Sequence, residues 1–136
     1  MATQSASQRR KNRKIEYNVF MKDCPSRKLL DTIGSKWVTL VLTTLSGRTL
    51  RYSQIREEIA GISEKMLTQT LRNLERDGLA LREVTASIPP RVDYRLTPLG
   101  ESLVTPIMAL RSWAENNMGA IETAQQRYDA EESGTV

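Results

Sequence analysis

The segment that follows Ser63 carries side chains that could read the edges of DNA bases. Over Ser63–Asp77 the leucines recur every three or four residues, which predicts an amphipathic helix with Ser63 as its N-cap. Glutamine can pair with adenine, and lysine or arginine with O6 and N7 of guanine. The base-reading candidates on the face away from the leucines, or on its flank, are Lys65, Thr68, Gln69 and Arg72.

A second set of polar side chains is suited to hold DNA phosphates and to set the register of such a helix. An ordinary amphipathic surface helix would show a similar pattern, so the neighbouring elements must decide between the two interpretations. The phosphate-binding candidates are Arg51, Tyr52, Ser63, Arg76 and Arg91.

The elements around this helix predict a mainly α fold with a small β-hairpin wing, which is a winged helix-turn-helix. A first helix is predicted from Tyr52 to about Ile59, with a tight turn at residues 60–62 before the second helix. A strand starts around Leu79, and alternation over residues 92–96 predicts its hairpin partner. The Pro-rich loop between the strands would be the wing, although an irregular hairpin loop is the plainer interpretation. This order of elements places one helix where it can enter a major groove.

Further helices are predicted on both sides of this unit. They span residues 12–20, Ser26 to Ile33, and Lys36 to Leu45, the last apolar nearly all round and therefore central. A short extended segment is predicted at residues 49–51. The C-terminal helix starts with Thr97 as N-cap and Pro98 at its first position, and Pro106 is expected to kink or divide it. Its surplus apolar residues favour subunit association, with packing onto its own domain as the alternative.

Charge divides the chain into three parts. Residues 1–14 carry five basic side chains and no acidic one, whereas residues 115–136 carry one basic and five acidic side chains. We predict a disordered basic arm over 1–14 and a winged helix-turn-helix domain with N- and C-terminal dimerisation helices over 15–118. An acidic C-terminal tail, frayed from about residue 120, would occupy 119–136. The arm suits phosphate contact, but it could equally be a solvated terminus.

Composition argues against an enzyme. The chain has no histidine and a single cysteine, Cys24, which excludes a disulfide within the chain and a cysteine-based metal cage. We find no paired catalytic carboxylates, no phosphate-binding glycine loop and no nucleophile elbow, so no cofactor or metal is expected. No apolar run is long enough for a bilayer and no secretory signal is visible, so we expect a cytoplasmic protein without a membrane partner.

Three segments in order resemble HxlR-type bacterial transcription regulators, winged-helix proteins related in shape to MarR-type regulators. They are CPSRKLLDTIGSKW, the run from Leu50 to Leu79, and IPPRVDYRLTPLGESL, and the resemblance covers about Cys24 to Trp113. Ser35 departs from the family, which often has a second glycine there. The resemblance implies a homodimer built by N- and C-terminal helices. It also implies binding of a double-stranded operator, pseudopalindromic for such a dimer, usually as a repressor and sometimes as an activator.

The resemblance also implies that Cys24 is a sensor of quinones or other thiol-reactive compounds. Cys24 lies just before a predicted helix start, where the helix dipole favours a thiolate, and Lys22 and Arg27 add positive charge. Against this, free cysteines are usually small buried hydrophobic residues. Two alternatives remain open: a regulator with an inert Cys24 that is switched by a small ligand, or a winged-helix adaptor that binds proteins. The ligand pocket would lie near Trp37, Met108 and Trp113.

Overall fold

The computed structural model describes residues 5–7 and 25–134 of the chain. The basic arm from residue 8, the helix predicted over 12–20 and Cys24 therefore lie outside the described residues. From residue 25 onward the elements are α1 (Pro25–Ile33), α2 (Lys36–Leu45), β1 (Thr49–Arg51), α3 (Tyr52–Glu58), α4 (Glu64–Arg76), β2 (Ala80–Thr85), β3 (Arg91–Leu96) and α5 (Pro98–Gly134). The predicted fold class, mainly helical with a small antiparallel hairpin, is confirmed.

Helix α2 lies at the centre of the core, as its apolar sequence predicts. Val41, Leu42 and Leu45 are fully buried, and α2 packs against α4 and α5. The helix is not covered all round, because Leu40 keeps 41% of its surface exposed. The remaining core comes from α3, α4, the sheet and the first turns of α5, so one hydrophobic cluster joins every element that flanks the candidate reading helix.

The helix-turn-helix consists of α3, the five-residue turn region 59–63 and α4. Ile59 and Ile62 on either side of the turn are buried, and Gly61 between them has φ +81°. That backbone conformation is disfavoured for residues with a Cβ atom, which explains the glycine at this position. Arg56 on α3 and Glu64 at the start of α4 form an ion pair of 2.6 Å across the turn.

Both ends of α4 are capped by local hydrogen bonds. The hydroxyl of Ser63 accepts a hydrogen bond from the backbone N–H of Met66 at 3.1 Å, as expected of an N-cap. At the other end Gly78 has φ +73°, and the N–H of Leu79 donates to the carbonyl of Leu74 at 2.8 Å. This is a Schellman ending, in which a left-handed glycine lets the chain reverse toward the sheet. The predicted bounds of α4 are thus confirmed.

The three strands form one antiparallel sheet in the order β1-β3-β2. Tyr94 in β3 lies opposite Leu50 of β1 on one side and Arg82 of β2 on the other. Because side chains alternate along a strand, these three residues share the face of the sheet that packs on the core. Strands β2 and β3 extend beyond the core as the wing, and their connecting loop, residues 86–90, is fully exposed.

Helix α5 runs without interruption for 37 residues, which excludes a division at Pro106 and corrects the prediction of a frayed C-terminal segment. Pro106 does not divide the helix, because Val104 and Ile107 on either side of it are both buried and hold that turn against the core. Residues 120–134 are helical rather than frayed. That stretch is rich in Ala, Glu and Gln, which are strong helix formers, and their helix propensity outweighs the acidic charge that favours disorder.

The first turn of α5 is hydrogen-bonded to the segments that end two other helices. Thr97 donates a hydrogen bond to the carbonyl of Gly78 and accepts one from the N–H of Gly100. The carboxylate of Glu101 accepts hydrogen bonds from the hydroxyl of Ser46 and the N–H of Gly47, at 2.9 and 2.7 Å. These bonds tie α5 to the end of α2 and to the end of α4.

A bidentate ion pair joins the turn after α2 to the end of α3. Both terminal nitrogens of Arg48 donate to the carboxylate of Glu58, at 2.8 and 2.6 Å. These bonds lower the pKa of Glu58 and raise the pKa of Arg48. Since the carboxylate pKa is lowered in the fold, the stabilisation is present above the ordinary glutamate pKa and is lost as pH falls through the lowered one. The pair is solvent-exposed, so its contribution is small.

Candidate nucleic-acid interface

The outward face of α4 presents most of the predicted base-reading side chains to solvent. Lys65, Gln69 and Arg72 are exposed, whereas Leu67, Leu71 and Leu74 on the opposite face are buried. Arg76 is exposed in the last turn. Among the described residues, none of these three cations lies within ion-pair distance of a carboxylate. Their charge is therefore available to an outside anion.

Thr68 differs from the other candidates because it is half-buried at the contact between α3 and α4. Its hydroxyl lies 3.1 Å from the hydroxyl of Tyr52, which in turn donates to the backbone carbonyl of Glu64 at 3.0 Å. Tyr52 also packs against the core. The structure thus gives both residues a contact that positions α4 on α3, and DNA would have to share these hydroxyl groups.

Gln69 sits at the centre of the exposed face and makes one side-chain hydrogen bond. Its amide nitrogen donates to the side-chain oxygen of Asn73, one turn later, at 3.1 Å. Such an exposed i, i+4 bond is weak and can be exchanged for bonds to a base edge. The Gln69 amide is therefore accessible on the exposed face of α4.

Two phosphate candidates lie directly before helix starts. Arg51 ends β1 and precedes α3, where its backbone N–H donates to the side chain of Gln54 at 2.9 Å and its own side chain stays exposed. Ser63 precedes α4 and already uses its hydroxyl oxygen as the cap. Backbone N–H groups at a helix start attract anions, so both positions are suited to face the DNA backbone.

The arginines on the outer face of the wing are paired with acids. Arg91 contacts the carboxylate of Asp93 at 3.0 Å, and Arg95 contacts that of Glu83 at 2.7 Å. Glu83 and Asp93 are cross-strand partners, and two carboxylates in that arrangement repel each other. Each arginine offsets this repulsion by pairing with one of the two acids. Arg91, predicted as a phosphate contact, is thus partly neutralised within its own strand.

A cleft of about 520 Å³ separates α4 from the wing. Two residues of its lining, Arg82 and Tyr94, are not among the residues that the sequence predicts to contact DNA. Side chains alternate between the two faces of a strand, and the hairpin register pairs Arg82 with Tyr94. Together, these two features could have placed both residues on the side of the sheet that faces α4. The cleft is lined by Tyr52, Thr68, Leu71, Arg72, Glu75, Arg82 and Tyr94.

A second, smaller cleft of about 220 Å³ lies between α1 and α5. It is mostly apolar, and its lining does not include Trp37, Met108 or Trp113, near which the alternative of a ligand-switched regulator would place its pocket. The cleft is lined by Leu29, Ile33, Asp77, Leu79, Leu99, Ser102, Leu103 and Pro106.

In the described part of the chain, no helix is both long and apolar enough to cross a membrane. The same residues contain no cluster of three or more potential metal ligands of the His, Cys, Asp or Glu type.

A helix-turn-helix followed by a two-stranded wing, with an exposed basic and amide-bearing face on the second helix, defines the winged helix-turn-helix class of DNA-binding proteins. Comparison with known families then places the chain more narrowly. The family model of the HxlR-like helix-turn-helix proteins matches residues 32–122. The chain belongs to this family, which confirms the resemblance found in its sequence.

Similar proteins are transcription regulators. The HTH-type transcriptional regulator YtfH of Escherichia coli (strain K12) is 45% identical over 103 residues, covering 76% of this chain and 82% of that protein. The solved structure of the transcriptional regulator ytfH from Salmonella typhimurium aligns with a TM-score of 0.74 and 40% identity, over 80% of this chain and 97% of that one. The reduced form of the redox regulator HypR aligns with a TM-score of 0.67 and 34% identity, over 73% and 98%. The chain is thus a DNA-binding transcription regulator, a class whose members are generally not enzymes.

Proposed function

We propose that this regulator is a repressor that binds a pseudopalindromic operator as a homodimer, with α4 of each subunit in a major groove. The observation that carries the proposal is the exposed face of α4, where Lys65, Gln69 and Arg72 point outward without an ion pair in the described part of the chain. An adaptor that binds proteins would instead be expected to show an acidic or apolar face there.

The candidate residues on and around the exposed face of α4 fall into two groups, those that reach base edges and those that contact phosphates. Lys65, Gln69 and Arg72 are long, exposed and on one face, so they are assigned to base edges, with Thr68 beside them. The side chains that flank this face are assigned to contacts with phosphates. These are Arg51 and Ser63 at the two helix starts, Tyr52 between the helices, Arg76 in the last turn of α4, and Arg91 on the wing.

The homodimer is supported by apolar surface on the two helices outside the reading unit. Beyond Ile107 no residue of α5 is buried, although this part of the helix carries large apolar side chains. Leu110 and Trp113 expose 67% and 57% of their surface. Leu29 and Leu30 on α1 are exposed as well. Apolar side chains at this density on projecting helices favour association with another copy. Two α4 helices would then be about 34 Å apart, one turn of DNA.

Replacing Gln69 with alanine should cost roughly 1–3 kcal/mol of operator binding and relax the preference at one base pair. The measurement is a gel-shift titration with the DNA upstream of the protein's own gene, followed by a selection from a randomised operator. Gln126→Ala is the matched control, because Gln126 is exposed in the distal half of α5. If the Gln69 variant kept the wild-type preference at every base pair, Gln69 would leave the base-reading set.

A second proposal, supported by the similarity to HypR, is that Cys24 switches DNA binding in response to thiol-reactive compounds. Pro25 is the first residue of α1, so the thiol precedes a helix whose first turn carries no acidic residue. The helix dipole there favours the reactive thiolate. Helix α1 also carries the exposed Leu29 and Leu30, so a modification at its start would act on a surface proposed for the dimer.

Diamide or a quinone is expected to release the wild-type protein from its operator, and after diamide excess reductant should restore binding. Cys24→Ser should stay bound under the same treatment. Release of the Cys24→Ser variant by the oxidant would contradict the switch. If oxidation left the wild type bound, regulation by a small ligand would be favoured instead, and the apolar cleft between α1 and α5 would be the first place to look.

A further inference from the structure

Arg82 and Tyr94 have no role in the readout proposed above, yet they line the cleft between α4 and the wing together with Arg72. Arg72 also lines the neighbouring hollow that contains Lys65 and Gln69, so it stands between the reading face and the cleft. Within residues 25–134, neither Arg72 nor Arg82 has a carboxylate within 4.0 Å. Two unpaired guanidinium groups at one cleft form a site for an anion.

We propose that this cleft holds one backbone phosphate of bound DNA, with Arg82 as a contact of the wing side and Arg72 as its neighbour on α4. The proposal rests on the proposed entry of α4 into the major groove. With α4 in that groove, we expect the strand that borders the groove to pass between α4 and the hairpin that follows it. The cleft lies on this path, because its walls are α4 on one side and β2 and β3 on the other.

The chemistry of the lining fits a phosphate. Arginine donates several hydrogen bonds in a planar fork that matches two phosphate oxygens. Tyr94 can add a hydroxyl donor, and its ring is held by packing against the core. Arg82 is its direct cross-strand partner, so the two are fixed side by side. Glu75 also lines the cleft and would repel a phosphate, which provides an independent test.

The two faces of the wing differ in charge balance. On the outer face, Arg91 and Arg95 are each paired with an acid, so binding a phosphate there requires an existing ion pair to be given up. On the face toward α4, Arg82 has no such pair to break among the described residues. Arg82 can therefore exchange a counterion for a phosphate at a lower free-energy cost than Arg91.

The test compares Arg82→Ala with Arg95→Ala, a control that removes an arginine from the outer face of the same sheet. Binding to two fluorescent duplexes, the upstream DNA and an unrelated sequence, is measured by anisotropy over a range of salt. The loss of one phosphate contact per subunit should reduce the magnitude of the slope of log K against log[salt] by about 0.9 per subunit. Relative to 1 M salt, this corresponds to a roughly eightfold loss of affinity at about 0.1 M salt. Arg82→Ala should show this loss on both duplexes and Arg95→Ala should not. Glu75→Gln should bind both duplexes more tightly.

Each other result counts against a specific claim. An unchanged slope for Arg82→Ala, or an equal loss for Arg95→Ala, overturns the phosphate site, and so does a loss confined to the upstream duplex. The proposed function is tested separately, because Gln69→Ala is read out by sequence preference, to which a phosphate contact contributes nothing. Absence of wild-type binding to either duplex would overturn both. Arg82 is exposed, so melting curves of its variant should match the wild type.

Discussion

Replacing Trp113 with aspartate is expected to convert the protein into a folded monomer that binds its operator roughly 10²–10⁴-fold more weakly. Trp113 exposes 57% of its surface on α5 and is not part of the core, so the subunit itself should remain folded. A carboxylate in an apolar contact between two copies must be desolvated, which disfavours association. The loss of DNA affinity follows because a monomer engages one half-site and loses the gain from linking two binding events.

Sedimentation analysis measures the mass, and gel-shift titration measures the affinity. Val84→Asp is the matched control for the mass, because Val84 lies on the wing and exposes 56% of its surface. It should keep the mass of the wild type. A dimeric Trp113→Asp variant with unchanged operator affinity would place the subunit contact elsewhere than on this part of α5.

Replacing Gly100 with alanine should destabilise the fold by about 3 kcal/mol, toward the upper end of the usual cost of overpacking. A Cβ atom at this position would lie closer than 3.0 Å to the backbone carbonyl oxygen of Leu79, and backbone cannot rotate away as a side chain can. The first turn of α5 would have to move, although the bonds of Thr97 and Glu101 hold it in place. Urea unfolding followed by circular dichroism gives the change in unfolding free energy.

The same substitution elsewhere in α5 should have the opposite sign. Gly119 is helical and has nothing within 4 Å of a built Cβ atom. Gly119→Ala should therefore stabilise the protein by about 0.5–1 kcal/mol, because alanine loses less backbone entropy in a helix. A Gly100→Ala variant as stable as Gly119→Ala would show that the contact with Leu79 relaxes without cost.

Local signals were sufficient to predict most of the fold. Ser63 and Thr97 are N-caps in the structure, and the glycine of the turn at residue 61 adopts a positive φ, because such features depend on a few neighbouring residues. The course of α5 past Pro106 was harder to predict. A proline weakens a helix locally, but whether the helix divides depends on burial of the adjacent Val104 and Ile107, which is a tertiary effect.

The candidate site was predictable only in part for the same reason. Helical periodicity placed Lys65, Gln69 and Arg72 on one exposed face. It could not show that Arg91 has a carboxylate partner, since that contact depends on side-chain geometry in the folded strand. Nor could it show that Arg82 and Arg72 line one cleft, because strand register and the packing of the sheet on α4 determine that arrangement.

The uninterrupted course of α5 fixes the angular phase between the DNA-reading end and the proposed subunit contact. Each residue of an α-helix turns the chain by about 100°, so one residue inserted between Ile107 and Leu110 would swing everything beyond it by that angle. A seven-residue insertion would restore the phase to within about 20°, while moving the contact roughly 10 Å along the axis. In the proposed dimer, the number of residues between these two surfaces would therefore set the spacing and relative orientation of the two operator half-sites.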